Sequence, residues 1–268
     1  MFISRLLNAA LVAVILISSP SAFTQVLEEV VVTAQIREQS LQDVPISVSA
    51  ISGEDIADRS VDNLQSLSAS VPNFMVVETQ IDTSISIRGV RSGANKGFEQ
   101  SVPMNFDGIV YPRSQLARTP LVDLERVEVL RGPQPTLFGK NAIGGAVSVT
   151  SAKPTEEFEG KFSTSHESEH GEDQSLLVLS GPLSDNLLGR LTVSTREMDG
   201  WITNTKMKRL EPQRDETYIR GQLAWTSGDV DYNLKVETAD FDSLGYAMEA
   251  IAPQDGYGLV FAGPIAVE

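Results

Sequence analysis

The chain has 268 residues, of which 41% are hydrophobic, and 36 acidic residues against 21 basic ones leave a formal net charge of −15. The acidic balance argues against a nucleic-acid partner, whose phosphates would repel the chain. The sequence contains no cysteine and only two histidines, which excludes disulfides and cysteine-ligated metals and leaves little room for a histidine-based metal centre. No apolar run approaches the ~20 residues of a membrane-spanning helix. We therefore expect no enzyme activity, no bound metal and no cofactor.

The first 25 residues have the pattern of a secretory signal peptide. Arg5 supplies a positive start, residues 9–17 form an unbroken apolar run, and small residues follow at 18–22. The apolar run is too short to remain as a membrane anchor. We predict that this segment directs export and is cleaved between residues 21 and 25.

The first half of the remaining chain mixes short helical and short strand patterns. Ser52, which precedes two acidic residues, predicts the N-cap of a helix, and Ser60 is predicted to cap a second helix. Apolar and polar residues alternate at 84–88, 126–130 and 146–150, which predicts strands. Glycine and proline separate these segments. The pattern indicates a small domain of mixed helices and strands.

The second half alternates with a period of two over long stretches. It is also more acidic, with 9 basic and 21 acidic residues over 154–268 against 11 and 15 over 27–153. Such segments are typical of membrane strands around a wet interior, and an ordinary half-buried sheet would give the same alternation. Short connections alternating with a long one at 198–216 favour the membrane barrel. The predicted strands are 158–166, 174–181, 188–197, 217–226 and 231–239.

Several motifs resemble those of the TonB-dependent outer-membrane receptors. The segment Leu-Glu-Glu-Val-Val-Val-Thr-Ala at 27–34 resembles a TonB box. The motifs at 71–74, 87–90 and 106–109 resemble signatures of the plug domain. Residues 123–146 closely match the most recognisable plug segment of the family, with proline at position 135 where the family often has glycine. The chain is therefore identified as the N-terminal part of such a receptor.

This resemblance implies an α+β plug domain followed by antiparallel transmembrane β-strands of an incomplete outer-membrane β-barrel, which has 22 strands in the family. It also implies import of a scarce solute, such as a ferric siderophore, a cobalamin or a glycan, driven through the periplasmic C-terminal domain of TonB. The strands would contact outer-membrane lipid, and the N-terminus would lie in the periplasm. The alternative is a free-standing plug that binds TonB or ligand without transport. The implied organisation is a signal peptide at 1–25, a TonB box at 27–35, a plug domain at 40–153 and about five barrel strands at 158–268.

The segment that resembles a TonB box also has a physical property that suits its role. Its four consecutive β-branched residues favour an extended strand, which can add to the edge of a partner's sheet through main-chain hydrogen bonds. An ordinary first strand of the plug is the alternative. The residues implied to bind TonB are Glu29, Val30, Val31, Val32, Thr33 and Ala34.

Two arginines of the predicted plug each precede a glycine at a strand end. A guanidinium buried between plug and barrel requires a partner of opposite charge. The resemblance implies that Arg88 and Arg131 pair with two barrel glutamates located beyond residue 268. Pairing with the nearby carboxylates of Glu125 or Glu128 is the alternative.

One segment spells a zinc-protease motif. His166, Glu167 and His170 have the spacing H-E-x-x-H, which holds zinc when a helix places both imidazoles on one face. The flanking residues here indicate strand and loop. We therefore predict that this segment holds no hydrolytic zinc.

Overall fold

The computed structural model describes residues 31–32, 39–40, 46–78, 83–92, 99–113, 117–169, 171–245, 249–251 and 260–262. The predicted signal peptide lies outside these residues. Within them, no helix combines the length and the apolar composition needed to cross a membrane. The chain begins its described structure with a two-residue antiparallel ladder between β1 (Val31–Val32) and β2 (Gln39–Ser40).

A five-stranded mixed sheet forms the centre of the N-terminal domain. Its order is β3-β9-β10-β7-β8, in which β10 and β7 run parallel and the other pairs are antiparallel. A separate antiparallel sheet contains β4, β5 and β6 in chain order. The strands are β3 (Ser47–Ser52), β4 (Phe74–Glu78), β5 (Thr83–Ile87), β6 (Val90–Arg91), β7 (Met104–Phe106), β8 (Ile109–Tyr111), β9 (Leu124–Arg131) and β10 (Gly145–Ser151).

Three short helices accompany these sheets: α1 (Gly53–Asp58), α2 (Leu64–Ser68) and α3 (Pro135–Phe138). Helix α1 begins as predicted, because the side chain of Ser52 accepts a hydrogen bond from the backbone N–H of Asp55 at 3.0 Å.

The predicted cap of α2 is wrong. Asn63 caps this helix, and its Oδ1 accepts from the backbone N–H of Ser66 at 2.8 Å. Ser60 instead lies in the turn that closes α1, with a φ of +50° and its N–H bonded to the carbonyl of Ala57. Because Ser60 belongs to this turn, it cannot cap the next helix, and α2 starts later than predicted.

The hydrophobic core lies between the two sheets and the helices. Alternate side chains of β5 and the central residues of β9 and β10 are buried together with the inner side of α2. The fully buried members include Leu64, Leu67, Ile87, Val127, Val129, Val147 and Val149. A smaller cluster around Leu130 and Phe138 packs α3 against the other face of the central sheet.

The second half of the chain forms one antiparallel sheet, which we call the strand wall. Its strands follow chain order and contain up to 15 residues. At ~3.3 Å per residue, 15 residues extend ~50 Å, enough to cross a ~30 Å hydrocarbon layer at a tilt. All five predicted strands are present, and four are clearly longer than predicted. They are β11 (Glu159–Glu167), β12 (Glu172–Ser184), β13 (Leu187–Met198), β16 (Gln213–Ser227) and β17 (Val230–Leu244).

The connections of the strand wall differ between its two ends. Two-residue turns join β12 to β13 and β16 to β17. At the opposite end, the connection from β13 to β16 is long and contains a hairpin of β14 (Ile202–Asn204) and β15 (Arg209–Glu211). A further pair, β18 (Glu249–Ile251) and β19 (Val260–Ala262), follows β17. Short turns at one rim and long loops at the other are typical of outer-membrane strands.

The two faces of the strand wall differ in polarity because side chains alternate along each strand. Arg190, Thr192 and Arg220 are buried on the face toward the N-terminal domain. Leu191 and Ile219, their neighbours in sequence, are 41% and 39% exposed on the other face. The outer face is therefore apolar and the inner face polar, the reverse of a water-soluble sheet over a core.

Candidate functional site: the contact between domain and strand wall

The strongest contact between the N-terminal domain and the strand wall centres on one carboxylate. Arg190 donates to Asp123 from Nε at 2.9 Å and from Nη2 at 2.5 Å. Arg220 donates from Nη2 at 3.0 Å, and the hydroxyl of Thr192 donates to the same carboxylate. We call these four residues the Asp123 cluster. It joins the loop before β9 to β13 and β16.

Local structure holds Asp123 in place on the domain side. Its φ is +52°, a region that aspartate tolerates better than most residues. Its carbonyl accepts from the N–H of Ala152 at 3.1 Å. Gly53, the first residue of α1, approaches the next peptide so closely that a Cβ there would lie 1.8 Å from the carbonyl oxygen of Leu124. Only glycine permits this approach.

The strand wall contributes a fully buried arginine to this cluster. The side chain of Arg220 is 2% exposed. Its Nη1 donates to the hydroxyl of Ser151 at 2.9 Å, and its Nη2 donates to the carbonyl oxygens of Val122 and Asp123. Arg190 also reaches Glu159 at 3.1 Å. Each guanidinium therefore has several acceptors, although the Nε of Arg220 is buried without a hydrogen bond.

A second contact involves the tight turn between β7 and β8. Asp107 accepts from the backbone N–H of Ser151 at 2.7 Å and from its hydroxyl at 2.8 Å. Lys235 of β17 donates to the same carboxylate at 2.6 Å and lies 3.2 Å from Glu237. Tyr218 donates to Glu237 at 3.0 Å. This chain of contacts leads back to Arg220, since its Nη1 lies 3.4 Å from the Tyr218 oxygen.

A third, looser contact involves the segment between α1 and α2. Arg196 of β13 lies 3.7 Å from Asp62 and 3.0 Å from Glu172. Gln174 also donates to Asp62, at 3.4 Å. In all three contacts the domain supplies the carboxylate and the strand wall supplies the cation.

The three aspartates differ in their ionisation. Burial would raise the pKa of Asp123, but the hydrogen bonds from Arg190 and Thr192 outweigh burial and lower this pKa below its ordinary value. The pKa of Asp107 is also lowered, because the bonds from Lys235 and Ser151 outweigh burial. At Asp62 burial prevails over the attraction of Arg196 and raises the pKa.

A small open cavity of about 40 Å³ lies beside the Asp123 cluster. Its lining residues come from both the domain and the strand wall and include Phe106, Tyr111, Ser151, Tyr218 and Arg220. This volume holds a few water molecules and is far too small for a solute such as a siderophore.

The two arginines that the sequence singled out lie outside the Asp123 cluster. Glu125 and Glu128 both pair with Arg126, so pairing of Arg88 or Arg131 with these carboxylates is wrong. Arg131 donates to the hydroxyl of Ser49 at 3.0 Å, and its Nε is buried without a hydrogen bond.

Arg88 is exposed at a φ of +52°, and its Nη1 lies beside Gly132. Within the described part of the chain, neither Arg88 nor Arg131 forms an ion pair with a carboxylate. The predicted barrel glutamates lie outside the described residues.

The segment predicted to bind TonB is described at two positions. Val31 pairs with Ser40 and Val32 with Gln39. The other four residues of the prediction lie outside the described residues: Glu29, Val30, Thr33 and Ala34.

The zinc-protease motif begins in a strand, because His166 belongs to β11 and its Nδ1 lies 2.8 Å from the carboxylate of Asp173. His170 lies outside the described residues. Among the described residues, no group of three or more His, Asp or Glu side chains is arranged to hold a metal ion.

Sequence reasoning missed the Asp123 cluster. Alternation along their strands puts Arg190 and Arg220 on polar faces, but it assigns no partner to either. Asp123 belongs to the motif at 123–146, in which no residue type signals a contact 67 or 97 positions away.

In this fold the carboxylates of one domain pair with cations on the polar face of a sheet, and the outer face of that sheet is apolar. These features define the class of outer-membrane receptors with a plug. Residues 40–146 match the family model described as the TonB-dependent receptor plug domain. The chain belongs to this receptor family, and its location is therefore the outer membrane. The predicted fold class is confirmed.

Curated relatives and solved structures agree with this assignment. The chain is 34% identical over 201 residues to the iron-regulated outer membrane virulence protein of Vibrio cholerae serotype O1, which covers 69% of this chain and 30% of the relative. It is 28% identical over 210 residues to the pesticin receptor of Yersinia pestis, covering 76% and 31%. The crystal structure of the ferric yersiniabactin uptake receptor FyuA from Yersinia pestis is 24% identical with a TM-score of 0.64, covering 72% and 31%. The chain thus spans about a third of the length of these proteins.

Proposed function

We propose that the protein containing this chain is an energy-coupled importer that carries a ferric siderophore across the outer membrane. The observation that carries the proposal is the placement of the plug on the polar face of the strand wall, where ion pairs hold it. A solute on that face meets the plug, and the cavity of about 40 Å³ beside the Asp123 cluster is too small to admit it. Import therefore requires the plug to move.

Movement of the plug requires energy because its contacts with the strand wall include buried ion pairs. Breaking such a pair leaves a charge in a poorly hydrated environment, which costs several kcal/mol per ion. TonB is the proposed source of this energy. The strand-forming residues Val31 and Val32 support the proposal, because an extended segment can pair with the edge of a partner's sheet.

The proposal of an iron-carrying solute is supported by the relatives. The Vibrio cholerae protein, at 34% identity, is iron-regulated. Iron regulation of a receptor is consistent with uptake of scarce iron.

Arg88 and Arg131 are proposed to form a second attachment of the plug. Neither is ion-paired within the described part of the chain, and the Nε of Arg131 is buried without a hydrogen bond. A buried nitrogen such as the Nε of Arg131 requires an acceptor, and Arg88, which is exposed, can reach one on an adjoining strand. We propose that carboxylates on barrel strands outside the described residues supply these acceptors.

Uptake of labelled iron tests this function. The full-length protein that contains this chain is produced in a Gram-negative strain that lacks its own siderophore receptors. The strain is supplied with radiolabelled ferric complexes of one catecholate, one hydroxamate and one phenolate siderophore. We expect accumulation of at least one complex, and loss of that accumulation when TonB is deleted. Failure to accumulate any complex would refute the siderophore proposal, and accumulation without TonB would refute the energy coupling.

A further inference from the structure

We propose that Asp123 is a positioning residue that fixes the plug against the strand wall, as an attachment of opposite polarity to Arg88 and Arg131. Here the carboxylate belongs to the plug and the guanidiniums belong to the wall. The inference takes from the proposed function only that the plug must move before a solute can pass. It is argued from the contacts of Arg190, Arg220 and Thr192 with the Asp123 carboxylate.

The burial of the cluster makes this contact stronger than a surface ion pair. The side chain of Asp123 is 6% exposed, and those of Arg190 and Arg220 are 5% and 2% exposed. Four donor groups, three from the two arginines and one from the Thr192 hydroxyl, bind the carboxylate. Removing its charge would leave buried Arg220 with only hydroxyl and carbonyl acceptors and Arg190 with the partly exposed Glu159, which is the costly way to break a buried pair.

The position of the cluster in the fold explains why it would control the plug as a whole. Asp123 directly precedes β9, and Ser151 is the last residue of β10. Arg220 contacts both of them. Because β9 and β10 are the central strands of the plug sheet, a rigid movement of that sheet away from the wall must break the cluster.

The other two contacts are weaker candidates. The side chains of Lys235 and Asp107 are each 25% exposed, so that solvent screens their attraction. Arg196 lies 3.7 Å from Asp62 and is closer to Glu172 of its own sheet. These contacts support the placement of the plug, and Asp123 fixes it.

Single-cysteine labelling can separate attachment of the plug from its folding, because these 268 residues contain no cysteine and any cysteine elsewhere in the full-length protein is first replaced by serine. Val178→Cys reports on the inner face of the wall: Val178 is 1% exposed and lies in register with Thr192. Ala142→Cys reports on the plug core, where Ala142 is fully buried. The rate of maleimide labelling is measured for each reporter in the full-length protein in detergent micelles.

We expect Asp123→Asn to increase the labelling rate at position 178 by about tenfold or more, since loss of a buried ion pair exceeds the 1.4 kcal/mol of a tenfold change. The rate at position 142 should stay the same. The matched control is Asp58→Asn, at an exposed carboxylate of α1 that forms no ion pair within the described residues. It should change neither rate.

Two outcomes would overturn the proposal. An equal increase at positions 178 and 142 would mean that Asp123 stabilises the plug fold instead of its attachment. An unchanged rate at position 178 would mean that the cluster does not hold the plug. If Asp123→Asn does not reach the membrane, Thr192→Val removes one donor and keeps the charge. It should increase labelling at position 178 about threefold, and no increase there would also reject the proposal. None of these readouts requires uptake, so failure of the import proposal would be visible separately.

Discussion

At the scale of single residues, similar aspartates are held in dissimilar ways. Asp123 meets two guanidiniums and a hydroxyl at short distances, whereas Asp62 meets one shared arginine at 3.7 Å. Both are partly shielded from water, so burial opposes ionisation at each. At Asp123 the hydrogen bonds outweigh burial and lower the pKa, whereas at Asp62 burial outweighs the hydrogen bond and the attraction of Arg196 and raises it.

The opposite pKa shifts predict opposite effects on stability. A lowered pKa means that ionised Asp123 stabilises the folded state above the unfolded value of about 3.9, and that this contribution is lost as the pH falls through the lowered pKa. Asp123→Asn should therefore lower the urea concentration at which the plug separates from the strand wall at pH 7, and this difference should shrink as the pH falls below about 3.9 toward the lowered pKa. A raised pKa means that ionised Asp62 destabilises the folded state at pH 7.

Asp62→Asn consequently provides the contrasting measurement. Its urea midpoint at pH 7 should equal or exceed that of the original protein, because Arg196 keeps Glu172 as a partner. The urea midpoints of the two variants are compared in the full-length protein at pH 7 and at pH 3, with labelling at position 178 as the signal. A lower midpoint for Asp62→Asn than for Asp123→Asn at pH 7 would show that the assignment of the two sites is reversed.

At the scale of elements, Val31 and Val32 of the segment predicted to bind TonB already have the extended conformation that the proposal needs. Val31–Val32 forms a two-residue ladder with Gln39–Ser40. Two residues form few hydrogen bonds, so exchanging this ladder for a longer one with a partner costs little. We expect Val31 and Val32 to leave this pairing when TonB binds.

Two substitutions at one position test strand pairing by this segment. Val31→Pro deletes a backbone N–H and fixes φ, whereas Val31→Ala keeps the backbone unchanged. In the full-length protein, Val31→Pro should abolish solute uptake while binding of the solute at the cell surface survives. Val31→Ala should reduce uptake much less. Uptake at the original rate with proline at position 31 would show that this segment does not pair as a strand with TonB.

At the scale of the whole molecule, the distribution of charge follows the contact between plug and wall. The second half of the chain is strongly acidic, yet four of its basic residues point toward the plug. They are Arg190, Arg196, Arg220 and Lys235. Net charge alone would suggest that the acidic halves repel each other, and the placement of these few cations reverses that expectation.

The polarity of the strand wall predicts how the 268-residue chain behaves alone in detergent-free solution. Its outer face exposes apolar side chains, and among the described strands none pairs with the outer edge of β17. The plug has its own buried core. Limited proteolysis should therefore leave a resistant fragment that ends near residue 155, detectable by mass spectrometry. Equal protection of residues 158–239 in a monomeric sample would contradict this prediction.

Local patterns in the sequence determined the elements whose causes are local. Alternation with a period of two located all five wall strands and the central strands of the plug, because a strand's facing pattern depends only on its own residues. The cap of α1 was evident from Ser52 for the same reason. The start of α2 was not, since the turn after α1 takes up Ser60 and leaves Asn63 as the cap.

The partners of the charged residues were decided only by the tertiary structure. Arg190 and Arg220 could be assigned to a polar face from their strands, but their common carboxylate lies 67 and 97 residues away. The position of that carboxylate depends on the close approach of Gly53 to Leu124 and on the bond from Ala152 to Asp123. Each of these contacts joins separate segments of the chain. Periodicity carries no information about such distances, so the composition of the Asp123 cluster becomes visible only when the plug is packed against the strand wall.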